Sequence, residues 1–309
     1  MSERPSDRAR ELVRGGFDTH VHIAPDTVER SVDDLTLARR FAELGVAGVQ
    51  LKSHYTCTAE RASVVSAAVP GVLTLGAICL NRAVGGINPL AVEIAAREGA
   101  RTVWMPTVDA ANESGEREAP PGVRVPVWVK LQLELREQGI EIEPVPVVDG
   151  GGAVLPEVRT VLEMVAGHGM VLATGHLGRD EIFAVVDAAV AAGVGRDGGE
   201  IVITHPEFPA QSLSVEDQLA LLERGALLER CFTTPHTGKI SWEQWLGNIR
   251  ATGPEHSLLS TDLGQVFNPP VEDGMALMVD RLLAAGFSDD EIHTMAVVNT
   301  RRVAGLEPL

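Results

Sequence analysis

The stretch Phe17-Asp18-Thr19-His20-Val21-His22 carries two histidines separated by one residue. Successive side chains of an extended strand point to opposite faces, so His20 and His22 project from the same face, about 7 Å apart. Two imidazoles held in that way make half of a metal site, although the spacing alone fits two unrelated surface histidines equally well. Three later apolar segments each end in a further potential ligand: ATGHLG in His176, IVITHPEF in His205 and LLSTDLG in Asp262. Neutral imidazoles with one carboxylate suit Zn²⁺ first, and also Mn²⁺, Fe²⁺ or Ni²⁺. An open position on such an ion lets a bound water ionise near neutral pH.

Residues so far apart in sequence meet only if a scaffold gathers them. The chain alternates short β-like runs with amphipathic helical stretches. After the first strand, DDLTLARRFAELG places Leu35, Ala38, Phe41, Ala42 and Leu44 at helical spacing and stops at Gly45. VAGVQLKSH, VLTLGAICL, RTVWMPT, GMVLATGH, EIVITHP, GALLERCF and HSLLSTD supply the remaining strands of eight, each separated from the next by a plausible helix. Asn88-Pro89 reads as an N-cap followed by proline in the first turn. The pattern predicts an α/β fold, a (β/α)8 TIM barrel in one domain over residues 1–309. The competing open doubly wound sheet lacks a G-x-G-x-x-G after its first strand.

In such a barrel the C-terminal ends of the strands converge on one mouth. His20 and His22 end strand one, Lys52 and His54 strand two, His176 strand five, His205 strand six and Asp262 strand eight. His168, His236, His256 and His293 fall elsewhere and read as structural or solvated. Glu229 ends strand seven, but LLERGALLER is charged enough that a solvated carboxylate is an equal reading. Residues 107–156 exceed what a plain barrel needs, and form an expected insertion after strand four. There DAANESGEREAPPG reads as an extended loop, PVWVKLQLELREQG as a helix, and IEIEPVPVVDGGGAVLP as a small hairpin turning at Asp149-Gly150-Gly151-Gly152. Long loops at a barrel mouth often cover active sites, and a disordered or oligomer-contact insertion is a comparable reading. Ser288-Asp289-Asp290-Glu291 reads as a capping box that opens the last helix, in a C-terminal segment spanning 288–309.

Composition bounds the function. With 309 residues, 45% of them hydrophobic, the chain can bury a substantial core. A net charge of −17 repels polyanions and argues against nucleic acid or an anionic membrane as partner, leaving a small-molecule substrate and a homo-oligomer open. No apolar run reaches the roughly 20 residues of a membrane span, and the polar start MSERPSDRARELVRGG is unlike a secretory signal, so a cytoplasmic location is expected. Cys57, Cys79 and Cys231 are odd in number and far apart, which argues against a disulfide framework or a thiolate zinc knuckle.

The order of H-x-H after strand one, His176 after strand five, His205 after strand six and Asp262 after strand eight resembles the amidohydrolase superfamily of metal-dependent hydrolases. The closing VVNTRRVAGL is similar to the N-P-A-R-x-L-G-L type segment found in many of its members. The resemblance spans nearly the whole chain. It implies that His20, His22, His176 and Asp262 bind a divalent metal, and that His205 either binds a second ion or contacts the reacting group. Binuclear members bridge their metals with a carboxylated lysine or a glutamate at the end of strand four, where RTVWMPT offers neither, so one ion is favoured over two. The sequence is most similar to a branch with K-x-H after strand two and an N-R-A-V-G-G segment, here Asn81 to Gly86, after strand three.

The implied reaction is hydrolysis of an amide, cyclic amide or lactone. Asp262 would act as ligand and proton shuttle, with His205 or the metal polarising the carbonyl. Lys52, His54 and Arg82 would line the mouth and hold a substrate carboxylate, with a loop salt bridge as the bland reading of Arg82. Lys52 is the point of tension: as a carboxylated bridge it would join two metals, and as a free ammonium, the favoured role, it would face substrate. A nonhydrolytic decarboxylase or isomerase on the same barrel is the alternative function. A noncatalytic metal-binding protein ranks third, because closed structural zinc sites are normally built with cysteine.

Overall fold

The computed structural model describes residues 4–113, 127–196 and 198–307; the loop expected over DAANESGEREAPPG lies outside them from residue 114 onward. Eight strands form one sheet in sequence order: β1 (Phe17–Val21), β2 (Gly48–Leu51), β3 (Leu73–Cys79), β4 (Ala100–Trp104), β5 (Val171–Ala173), β6 (Glu200–Ile203), β7 (Leu227–Cys231) and β8 (Ser257–Ser260). Every neighbouring pair is parallel. The seam between β1 and β8 is drawn together just beyond β8, where Asp262 N donates to His20 O at 2.8 Å and His22 N donates to Leu263 O at 2.7 Å. This is the expected (β/α)8 barrel.

Burial on both faces explains why the strands read as near-continuous apolar runs. One layer of core packs helices against the β1, β2 and β8 side through residues such as Leu37, Phe41, Trp245 and Met278. A second layer, with Val158, Leu162, Ile182 and Ile201, covers the opposite side. Inside the barrel Cys79, Trp104, Val171, Val202 and Leu258 form a smaller cluster. Polar groups within the barrel are paired: Gln50 Nε2 donates to Thr19 O at 3.1 Å, and Thr102 Oγ1 donates to Gln50 Oε1 at 2.7 Å.

Helix ends follow the local signals. Asn88 caps the helix Pro89–Arg97 by accepting from Ala91 N, and Ser288 with Glu291 forms the expected capping box. The closing helical stretch passes through a π-helical segment, Thr294–Val298, into Asn299–Ala304. After β4, a helix occupies Val127–Glu137 as expected. The hairpin expected next is reduced to a single bridge between Val148 and Val154 around a turn in which Asp149 Oδ1 accepts from Gly151 N and Ala153 N. Pro144 and Pro146 lack the N–H groups that a longer ladder would need. Cys57, Cys79 and Cys231 are free thiols, and among the described residues no helix is long and apolar enough to cross a membrane.

Candidate active site

His20 lies on β1 and His22 just beyond it, and Asp262 follows β8, so the β1–β8 seam holds all three at the barrel mouth. His20 Nε2 is 3.3 Å from His22 Nε2, and Asp262 Oδ1 is 3.3 Å from the first nitrogen and 3.4 Å from the second. A tetrahedral ion with bonds of about 2.0–2.1 Å sets its ligand atoms roughly 3.3–3.4 Å apart, so this triangle fits such an ion. Burial pushes His22 down to about 3, which leaves its imidazole neutral and able to coordinate. Against burial, which alone would raise it, His20 and His22 hold the Asp262 carboxyl well below the usual carboxylate range.

The backbone is shaped to make this triangle. Asp262 has φ 52° and His205 φ 26°, a left-handed region that non-glycine residues seldom occupy and that concentrates at functional sites. Gly264 has φ 130°, and a Cβ there would stand 1.5 Å from His22 O, so only glycine lets the β8 loop pass this close to the ligand strand. The second Asp262 oxygen accepts from Thr233 Oγ1 at 2.6 Å.

Behind His20 stands Glu229, buried on β7. Its Oε2 lies 3.2 Å from His20 Nδ1, and its Oε1 accepts from Ser260 Oγ at 3.0 Å. A carboxylate on Nδ1–H fixes the tautomer and turns the Nε2 lone pair toward the triangle. Cys231 Sγ lies 3.8 Å from the same Nδ1, and burial and the neighbouring Glu229 push its thiol well above its usual range. Glu229→Gln is therefore expected to retain the fold and to weaken metal affinity about 10- to 100-fold, as measured by competition with a chromogenic chelator.

Lys52, 1% exposed, reaches in from the end of β2. Its Nζ lies 2.9 Å from His20 Nε2 and 3.8 Å from the centre of the Trp104 ring. Trp104 thus fills the end of β4, the strand on which the sequence offered no bridging residue. His54 stacks on His22 with ring centres 4.6 Å apart, and its Nδ1 meets Thr107 Oγ1 at 2.9 Å. Asn81, the first residue of the N-R-A-V-G-G segment, donates to His54 O and to Thr107 Oγ1, so it ties together the loops after β2, β3 and β4. His176 and His205 face each other with ring centres 5.1 Å apart. Burial lowers His54 and His205 far below the usual histidine range, and lowers His176 as well. Among the described residues, the groups of three or more potential ligand atoms lying within 4.8 Å of one another are His20–His22–Asp262 and His20–Glu229–Cys231; neither includes His176 or His205. His22, Lys52, His54, His176, His205 and Asp262 all line one cavity of about 640 Å³, counting its open mouth.

Residues 15–229 match a family of unknown function (DUF6282). The chain belongs to this family. No curated protein sequence matches it. Solved structures share the fold the strand-end residues led us to expect. An amidohydrolase from Pseudomonas aeruginosa is similar at 10% identity with a TM-score of 0.59, over 96% of this chain and 98% of that one. A putative 2-pyrone-4,6-dicarboxylic acid hydrolase from Pseudomonas putida is similar at 16% identity with a TM-score of 0.57, over 96% and 99%. An amidohydrolase from Burkholderia multivorans with bound zinc is similar at 10% identity with a TM-score of 0.55, over 94% and 99%.

One expected site residue is not in the cavity. Arg82 donates from Nε to Glu143 O at 2.8 Å and from Nη2 to Pro144 O at 2.5 Å, so its guanidinium clamps the segment after the helix Val127–Glu137. That is a correction to the substrate-binding role expected of it: the charge is spent on loop carbonyls. Other cavity residues carried no sequence signal. Trp128 comes from the helix Val127–Glu137, Phe208 from the loop after β6, Lys239 from the loop after β7, and Arg30 from the loop after β1. Only the charge of Arg30 and Lys239 set them apart, and charge is common in loops.

Proposed function

We propose that the protein is a metal-dependent hydrolase acting on an amide, cyclic amide or lactone of a small carboxylate-bearing substrate. The observation that carries the reading is the His20–His22–Asp262 triangle, whose spacing fits one tetrahedral ion. The fold shared with amidohydrolases, and the zinc bound by one of them, support it. The favoured ion is Zn²⁺, held singly. When bound, it supplies a water that ionises near neutral pH and a Lewis acid for the carbonyl. The chain's own residues do the rest. Asp262 accepts the proton from the attacking water and returns it to the leaving group. His176, expected as a further metal ligand, lies outside the triangle and is assigned with His205 to contact with the reacting group, and His54 bounds the substrate on the β2 side.

Metal content tests this directly. His20→Ala and His22→Ala are expected to lose most of the tightly held metal, while His293→Ala on the outer helix keeps it, as measured by elemental analysis of purified protein. Equal content in all three would sink the assignment.

Lys52 is assigned the free-ammonium role. Lys52 Nζ lies 2.9 Å from His20 Nε2, and were that nitrogen to hold a metal, the Lys52 N–H groups would be free for a substrate carboxylate. Lys52→Met is expected to retain metal but to raise KM or lower kcat strongly, since losing one partner of a charged hydrogen bond typically costs about 1.5–3 kcal/mol. Loss of about half the metal, restored by bicarbonate with a short carboxylic acid, would instead establish a carboxylated bridge.

A further inference from the structure

The chain contains only three lysines, Lys52, Lys130 and Lys239, and supplies the rest of its 26 basic residues as arginine. Lys130 lies exposed on a helix beside Glu134. The other two line the cavity that also exposes His22 and Asp262. They flank the metal triangle: Lys52 stands on the β2 side of the β1–β8 seam and Lys239 on the β7 side. In a protein of net charge −17, the lining of this cavity carries three cations, Arg30, Lys52 and Lys239, against one carboxylate, Asp262.

The third cation of the cavity is already neutralised. Arg30 reaches Asp26 Oδ2 at 2.7 Å through Nε and at 2.6 Å through Nη2, with both side chains under 5% exposed. Lys239 is different. Its Nζ donates to a neutral group, Thr237 Oγ1, at 3.0 Å and lies 4.6 Å from the centre of the Phe208 ring. Among the described residues no carboxylate stands within 4.0 Å of it. Among the described residues its close polar contacts are that hydroxyl and that ring, with the Asp262 charge acting from farther off, so most of its hydrogen-bonding capacity is unspent.

Its position is fixed from behind. Lys239 N donates to Thr234 O at 3.1 Å, and Thr237 Oγ1 donates to Thr233 O at 2.6 Å. Thr233 Oγ1 in turn donates to Asp262. The loop that carries the ammonium is therefore bonded to the carboxylate of the metal triangle, so an anion at Lys239 keeps a set distance from the reacting bond. Phe208 joins the two regions: its ring lies 4.8 Å from that of His205 on one side and 4.6 Å from the Lys239 ammonium on the other.

We infer that Lys239 with Thr237 forms the subsite for a further anionic group of the substrate, a carboxylate set apart both from the bond that is hydrolysed and from the group assigned to Lys52 on the β2 side. This deepens the hydrolase reading and rests on it for the identity of the reacting end, but the anion subsite itself needs no metal. It gives the specificity-determining role that Arg82 does not fill to a residue from the opposite side of the mouth.

The test is binding of benzoate and of its neutral isostere benzamide to the full chain, as purified and after metal removal, followed by protein NMR or calorimetry. Wild type is expected to bind benzoate in both forms and to prefer it to benzamide, with affinity falling as salt is raised. Lys239→Met is expected to weaken benzoate at least about tenfold, to leave benzamide and metal content unchanged, and to be rescued by Lys239→Arg. Equal benzoate affinity in wild type and Lys239→Met, a loss seen only in Lys52→Met, or equal binding of acid and amide would each overturn the assignment. Because the metal-free arm reads the subsite alone, failure of the hydrolase reading appears separately, as absent metal or absent turnover with the benzoate result intact.

Discussion

Asp262→Asn is expected to keep the barrel folded and much of its metal bound while losing at least about 10²-fold in turnover, the typical contribution of a general base. Three features make the substitution selective. Asparagine tolerates the left-handed backbone that Asp262 adopts at φ 52°, so the loop need not move. Its amide oxygen can still face the two Nε2 atoms in place of Oδ1, while the amide nitrogen takes the place of Oδ2 beside Thr233 Oγ1, a hydroxyl that can accept as well as donate. What the amide cannot do is take up a proton. The measurement is kcat and metal content on one preparation, using whichever ester or amide the wild type turns over fastest in a panel. Near wild-type turnover with full metal would show that the proton travels by another route.

The positions of the strand-end residues were legible because a parallel barrel leaves them little freedom. His22, Lys52, His54, His176, His205 and Asp262 each end or directly follow an apolar run, and alternation plus topology sends them to one cavity, with His20 buried just beneath it. Glu229 was readable only as an even choice. Its neighbours Leu228 and Arg230 make LLER look like an exposed charged stretch. In the fold, alternation turns Glu229 toward His20 and Arg230 toward the helices, and each finds partners that are distant in sequence: Ser260, Gln218, Thr252 and Ser257. Arg82 shows the opposite failure, since a cation next to a strand end looked like a substrate ligand until the carbonyls of Glu143 and Pro144 were seen to consume it. Loop geometry decides such cases, and no periodicity encodes it. Lys239, Trp128 and Phe208 escaped for the same reason.

Arg230→Met is expected to be the most destabilising of these substitutions, by about 3–5 kcal/mol, because it removes one partner of a buried ion pair and leaves the other charge without compensation. Arg230 and Glu207 are both buried, the guanidinium completely, and they pair across the layer between the sheet and its helices. Nη1, which faces Glu207, also donates to Gln218 Oε1 at 2.9 Å, while Nη2 donates to Thr252 Oγ1 at 2.8 Å and Nε to Ser257 Oγ at 3.1 Å. A planar fork reaches these acceptors at once; an ammonium cannot, so Arg230→Lys is expected to fall between wild type and Arg230→Met. Removing both charges separates the stranded carboxylate from lost packing. Glu207→Gln combined with Arg230→Met should recover part of the loss, since the glutamine side chain is cheaper to bury unpaired than a carboxylate. Glu207 also lies two residues after His205, in a turn where Phe208 N donates to His205 O at 2.9 Å, so the single variants should loosen the β6 loop before the barrel unfolds. Urea denaturation with an unchanged m-value reads the stability difference, and hydrogen exchange of the Pro206–Gln211 amides reads the loop. If Arg230→Met stays within about 1 kcal/mol of wild type, the Glu207 carboxylate is neutral or hydrated in the native protein. The ion pair then does not hold His205 in place, and that task passes to the backbone turn alone.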